Sequence, residues 1–307
     1  MKKVPSLFLK ASASLALLGL LFYRTDGGEL KRLVASIDWR FLAGGLACVT
    51  AGLVLSSYKW QRILRVDGIR CSLSELVKLY LIGTFFNNFL PTSIGGDAVR
   101  AYYVSRDFGN PAAAVSSILT ERVSGLAVLI LLPVVAFYPS AVFIPSGLTG
   151  ILTGSLALVV LLAGAFMLPV VRRSCGKFLP LKVGIEVERI AGAIGRYLSD
   201  IRTLSVIIFC SVLFNVLVVL SAWMVAGAIG LDLRMIDLMV VVPLIVLLTL
   251  IPVSLNGLGL REGGFIYFMS DLGVKNAEAL SFSLLHYLLI LVLSSVGGIL
   301  FGFYRRR

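Results

Sequence analysis

The sequence predicts an all-α polytopic membrane protein: six full transmembrane helices and two re-entrant, broken-helix hairpins, arranged as an inverted repeat. Three observations carry that expectation. The 307 residues are 58% hydrophobic and only 14% charged, with a mean hydropathy of +0.97, and no soluble domain of this size needs so much apolar surface. The apolar residues gather into six runs that approach or exceed the ~20 residues needed to cross a hydrocarbon core of about 30 Å. Two further hydrophobic stretches are each broken in the middle by the same kind of insert.

Taken in order, the six runs are Leu7–Tyr23, Phe41–Ser57, Ala112–Tyr138, Gly147–Val171, Leu204–Gly230 and Ala277–Phe303. Lys2 and Lys3 at the N-terminus, then an apolar run after Lys10, resemble a signal peptide. Tyr23-Arg24 is a poor cleavage site, so an uncleaved anchor is expected. The segment Glu75–Phe89 is about 15 residues, roughly 22 Å as a helix, and is too short to cross. After the break, Asp97–Arg106 runs back to the same side. Val183–Ile201 carries apolar Val187, Ile190, Ile194 and Leu198 with charges on its other faces, which fits an interfacial amphipathic helix or a plain connecting helix. The whole is one integral membrane domain over 1–307, with repeat A at about 1–140, repeat B at about 147–307 and the connector at about 172–203.

The two inserts are Leu90-Pro91-Thr92-Ser93-Ile94-Gly95-Gly96-Asp97 and Ile251-Pro252-Val253-Ser254-Leu255-Asn256-Gly257-Leu258-Gly259. Pro91/Pro252, Ser93/Ser254, Gly96/Gly257 and Arg100/Arg261 recur at one offset. After a three-residue slip, so do Asp107/Asp271, Gly109/Gly273, Ala113/Ala277 and Ser117/Ser281. Hydrophobic segments interrupted by Pro and Gly at matching places in two halves point to a transporter's binding site. Non-helical backbone at membrane depth is tolerated where it lines a cavity or is buried in protein. Pro91, Gly95, Gly96, Pro252, Gly257 and Gly259 are therefore assigned to the turns.

The net charge of +12 does not imply nucleic acid. Seventeen of the 28 Lys and Arg fall in four clusters: Lys2 to Lys10, Lys59 to Arg70, Arg172 to Arg202, and Arg305–Arg307. With both termini cytoplasmic, every cluster lands inside, as the positive-inside rule requires. Treating the broken segments as full spans would strand the Arg172–Arg202 cluster outside. The four cysteines, Cys48, Cys71, Cys175 and Cys210, have no metal-like spacing, so neither a disulfide nor a metal site is expected.

Ionisable groups within spans are functional candidates whose partners must be named. Arg100, Arg122 and Arg261 are assigned to phosphate, because arginine offers a planar two-pronged donor set and helix N-termini nearby also favour an anion. Asp97, Glu121 and Glu262 are either structural partners of these arginines or coupling groups. His286, the sole histidine, takes the repeat position of Arg122; a packed neutral histidine is favoured over a proton relay. Asn87, Asn88 and Asn256 either cap the broken ends, the favoured job, or bind head-group hydroxyls.

These residues resemble a known family. Asn87-Asn88-Phe89-Leu90-Pro91, Gly95-Gly96-Asp97, Arg100, and Glu121-Arg122 with Gly125 are similar to the first signature of the flippase-like lysylphosphatidylglycerol synthase transmembrane region. Asn256-Gly257-Leu258-Gly259 with Arg261-Glu262 is similar to its second. The resemblance covers essentially the whole chain. It implies a cell inner (cytoplasmic) membrane protein that moves lipids or lipid-linked head groups between leaflets. Bifunctional members carry a soluble aminoacyltransferase domain after the membrane region; this sequence stops at Arg307, so aminoacylation is not expected.

The functional expectation is flipping of a phospholipid or lipid-linked head group, without enzymatic chemistry, catalytic residues or cofactors. No nucleotide-binding P-loop is present, so an ion or proton gradient would drive any uphill movement. Two alternatives stand beside it. One is a non-transporting partner of an envelope lipid or glycan synthase. The other is a membrane-embedded lipid transferase, which would want an exposed carboxylate pair or activated nucleophile at the membrane surface. Partners are membrane lipids, anionic or lipid-linked, with a homodimer left open.

Overall fold

The structure, a computed structural model, describes residues 35–89, 95–168, 181–251 and 256–304, with isolated positions 19, 21, 23, 28, 32, 33, 171 and 254. Among the described residues it is all-α, with ten helices and no strand: α1 (Trp39–Val66), α2 (Leu73–Phe89), α3 (Gly95–Phe108), α4 (Pro111–Ala136), α5 (Ser146–Met167), α6 (Leu181–Ser199), α7 (Ile201–Ala228), α8 (Met235–Thr249), α9 (Leu260–Ser270) and α10 (Asn276–Phe303). Five of them, α1, α4, α5, α7 and α10, are long and apolar enough to cross a membrane. The expected Leu7–Tyr23 span lies outside the described residues apart from three positions. So do Pro91, Ser93, Pro252, Cys175, Arg172, Arg173, Lys177 and the terminal basic residues at both ends.

Polar caps fix where the long helices begin. The Asp38 carboxylate accepts the Arg40 N–H at 2.8 Å and opens α1. Asp200 accepts the Arg202 N–H at 3.3 Å and the Thr203 hydroxyl at 2.6 Å, and opens α7. In both the cap backbone is extended, as an N-cap requires. Asn110 caps α4 by accepting the Ala113 N–H at 3.0 Å, with Pro111 in the first turn, where a missing N–H goes unfelt.

One boundary differs from expectation in a way that matters. The sequence reading ended the second span at Ser57 and gave Lys59, Arg62 and Arg65 to a basic loop, whereas α1 runs on to Val66. Trp60, Ile63 and Leu64 are fully buried, so the apolar face continues past the first basic residue. Lys59 is 3% exposed and lies inside the helix bundle.

In lipid, helices associate by close packing and polar contacts rather than by escape from water. α1 packs most extensively on α7. α2 packs on α10, and α8 on α4; α2 with α3 and α8 with α9 form short pairs, flanked by α4 and α10 respectively. The α2/α3 pair is tight: a Cβ at Gly96 would collide with the Gly83 carbonyl. The main apolar core gathers Val225, Leu238, Val241, Phe265, Met269 and Phe282 with residues of α4. A second forms around Trp60, Leu64, Leu76, Leu79 and Val104.

The connector α6 is anchored to protein. Tyr197 is fully buried among Ile63, Ala193 and Ile207. Its hydroxyl donates to Asp67 and lies 3.0 Å from Ser116 Oγ, while Arg196 pairs with the same Asp67 at 2.5 Å. Burial, and then the bond to the Asp67 carboxylate, push the Tyr197 phenol well above its ordinary range.

Candidate functional site

The first break leads into α3, whose first turn carries Gly95, Gly96 and Asp97. Asn87 Oδ1 accepts the Gly96 N–H at 2.8 Å, so this asparagine caps the broken end. Asp97 then faces α4, where both of its oxygens meet Arg122: Nε donates to Oδ2 at 2.7 Å and Nη2 to Oδ1 at 2.9 Å. This is the bidentate fork that arginine makes with a planar oxyanion.

Arg100, one turn further on, lies deeper. Its guanidinium is held between the rings of Trp60 and Tyr80, each centroid 4.1 Å away. Nη2 donates to Glu121 Oε2 at 2.6 Å, and Nη1 to Asp97 Oδ1 at 3.4 Å. The Tyr80 hydroxyl donates to the other Glu121 oxygen at 2.8 Å. The side chains of Arg100 and Glu121 are 3% and 6% exposed, whereas that of Arg122 is 53% exposed. Among these charges, Arg122 is the one that presents a face outward.

Lys59 completes the cluster from α1. Its Nζ contacts Ser211 Oγ at 3.1 Å, and the Glu121 carbonyl and Ser124 Oγ at 3.4 Å each. Lys59, Trp60, Tyr80, Ser124 and Ser211 were not singled out from the sequence. The signal for Lys59 was available: Trp60, Ile63 and Leu64 keep the helical apolar period going around it.

The second break is a separate cluster. Asn256 adopts a left-handed conformation (φ 49°), as do Gly257 and Gly259 (φ 77° and 81°), which gives these two glycines the turn role assigned to them. Glu262 is fully buried and accepts the Gly259 N–H at 2.6 Å. It also accepts from both Nε and Nη2 of Arg261, whose guanidinium lies 3.8 Å over the Tyr287 ring. The Arg261 side chain is 11% exposed. Three arginines around one phosphate is therefore not what this conformation contains. Arg100 and Arg122 share Asp97, and Arg261 stands with Glu262.

The two clusters are joined through asparagines. The Asn256 amide donates to Asn88 Oδ1 at 3.0 Å and lies 3.2 Å from the Tyr287 hydroxyl. His286 is buried and stacked on Phe282, with Nε2 3.1 Å from Ser221 Oγ. It borders a largely apolar cavity of about 190 Å³ that Tyr80, Thr84 and Phe214 also line. On the bundle surface, an apolar groove of about 890 Å³ runs along α1 and α7 past Ala43, Thr50, Val54, Tyr58 and Leu213.

Residues 7–298 match the family described as the lysylphosphatidylglycerol synthase TM region, and the chain belongs to that family. It is a multi-pass membrane protein. It is also similar to a UPF0104 membrane protein of Methanothermobacter thermautotrophicus, at 23% identity with 87% of this chain and 83% of that protein covered. A UPF0104 membrane protein of Methanocaldococcus jannaschii is 34% identical over 79 residues, about a quarter of each chain.

Proposed function

We propose that the protein moves a phospholipid or lipid-linked head group between leaflets, holding its phosphate at Arg122. The observation that carries this reading is the Asp97–Arg122 fork. A carboxylate occupies both prongs of a half-exposed arginine, in the geometry a phosphate diester would take. The basic groups support an anion: Arg100 and Arg122 balance Asp97 and Glu121, and Lys59 beside them is a further group able to carry positive charge once an anion arrives. No step needs catalysis.

The architecture behind this reading is an inverted repeat within one membrane domain, with α2/α3 and α8/α9 as re-entrant hairpins. Exchanging α1 with α7, α2 with α8, α3 with α9 and α4 with α10 maps the α1/α7 pairing onto itself and each of the other pairings among these eight helices onto one that is also present. Both α1 and α7 have 28 residues, and each opens with Asp-x-Arg, at Asp38 and Asp200. Arg100 and Arg261, matched by the repeat, each pair with a carboxylate and lie over an aromatic ring. Such a repeat supplies two faces of similar energy, and rocking of one half against the other would expose the site alternately.

The test is translocation of a panel of native lipids in proteoliposomes, scored by head-group accessibility, for the wild type and Arg122→Ala. Movement of an anionic class that is lost in the variant supports the reading. Equal movement by a folded Arg122→Ala protein overturns it. No movement by the wild type would favour a non-transporting partner of an envelope synthase.

A further inference from the structure

We propose that Lys59 is the proton-binding group of the transport cycle, neutral when the site is empty and protonated when an anionic head group is bound. This rests on the reading that phosphate binds at Arg122. The first support is position: Lys59 is 97% buried by its 3% exposure, within a membrane-spanning helix. The second is its company. Among the described residues no carboxylate lies within salt-bridge distance of Nζ, and its contacts are two hydroxyls and one carbonyl at 3.1–3.4 Å. Nζ donates to all three, while Ser211 passes its own proton to Ser124 and Ser124 to the Glu121 carbonyl; a hydroxyl that turns to donate to a free amine would let the same setting hold either form.

The third support is charge balance. The charged and titratable groups that act on Lys59 are Glu121 and Arg122 on α4, Arg100 on α3 and Cys210 on α7; Tyr80 on α2 is bonded to Glu121, and Asp97 to Arg100. The four permanent charges, Asp97, Glu121, Arg100 and Arg122, already cancel through direct ion pairs. An ammonium at Lys59 leaves one positive charge unbalanced inside the bundle, an arrangement that burial disfavours. A phosphate diester at Arg122 adds one negative charge and reverses that preference. Lys59 then takes one proton from the aqueous phase to which the site is open. No bond beyond the new N–H forms, and the loaded site is as neutral as the empty one. Proton and anion cross together, and the lipid gathers in the leaflet facing the more alkaline compartment.

The deciding experiment is calorimetric titration of the purified full-length protein with a water-soluble, short-chain phosphatidylglycerol, in buffers of different ionisation enthalpy. The wild type is expected to take up close to one proton per lipid bound. Its affinity should fall by up to about tenfold per pH unit as pH rises. Lys59→Arg, which keeps its charge at every accessible pH, should bind without proton uptake and with a flat pH profile. Lipid binding by the wild type with no proton uptake overturns this proposal and leaves the phosphate site standing. Undiminished uptake in Lys59→Arg also overturns it, and points to Asp97 released from Arg122. Failure of the wild type to bind this lipid or any of a panel of short-chain anionic lipids overturns both readings. The wild-type measurement decides even if the variant does not fold.

Discussion

Asn256 donates its side-chain amide to Asn88 Oδ1 at 3.0 Å, joining the two interrupted segments across 168 residues of sequence. Each asparagine sits beside the Pro-containing insert of its own half, so the bond links the flanks of the two inserts. Tyr287 extends the link to Arg261 through its hydroxyl and ring face. The two clusters are thus mechanically continuous, although no charge pair spans them among the described residues.

Asn88→Ala should lower stability in detergent by about 1 kcal/mol, the usual net worth of a hydrogen bond, and Asn256→Ala by more, because it also loses the contact with Tyr287 and puts alanine in a left-handed conformation. Because both remove the Asn88–Asn256 bond, the double variant should lose little more than Asn256→Ala alone. Thermal unfolding of the four proteins closes the cycle. Additive losses would show that the two amides act independently.

Glu121→Gln should be among the most damaging single changes in the chain. It would strip the 2.6 Å charge partner from an arginine that is 3% exposed and sandwiched between Trp60 and Tyr80. Breaking a buried pair from one side is expected to cost about 3–5 kcal/mol. Removing both charges, as in Arg100→Met with Glu121→Gln, should restore most of that loss. Yield of monodisperse protein and its melting temperature report the difference.

Much of this arrangement was legible in the sequence, for reasons that differ by element. The spans at α4, α5, α7 and α10 were readable because hydrocarbon thickness demands long apolar runs, and the observed ends fall within a few residues of those expected. The left-handed turn at Gly257 and Gly259 was readable because few residues tolerate that backbone. Lys59 was misplaced because positive charge near a span end usually marks a loop, and period alone did not outweigh that rule. The division of Arg100, Arg122 and Arg261 into two clusters was beyond reach, since spacing says which face a side chain occupies and not which helix meets it.

The hold on the connector should weaken in alkali. The Tyr197 phenol is raised in the folded protein by burial and by Asp67, so its contribution is complete below the ordinary tyrosine value of about 10 and is lost as pH climbs through the folded value. Protection of 181–199 from proteolysis or hydrogen exchange should therefore fall above about pH 10. Tyr197→Phe, which lacks the donor to Asp67, should show weaker protection already at neutral pH and a smaller alkaline change. An identical alkaline profile in that variant would assign the effect to another group.

Arg122→Lys separates charge from geometry at the proposed phosphate site. Both prongs of Arg122 are engaged by Asp97, at 2.7 and 2.9 Å, and a lysine ammonium is a point donor that cannot match two oxygens in one plane. The charge balance around Asp97 and Glu121 is unchanged by the substitution, so the protein should fold, with a melting temperature lowered by the one lost bond to Asp97. Loss of one of two charge-assisted bonds is worth roughly 1.5 kcal/mol, which predicts about a tenfold weaker hold on a phosphate diester and a matching fall in translocation at limiting lipid. Arg122→Ala, by contrast, should abolish translocation, leaving Asp97 only its 3.4 Å contact with Arg100. A lysine variant that transports as well as the wild type would mean that Arg122 supplies charge alone. A lysine variant as dead as the alanine one would mean that the fork itself, made and broken once per cycle, is what the transporter needs.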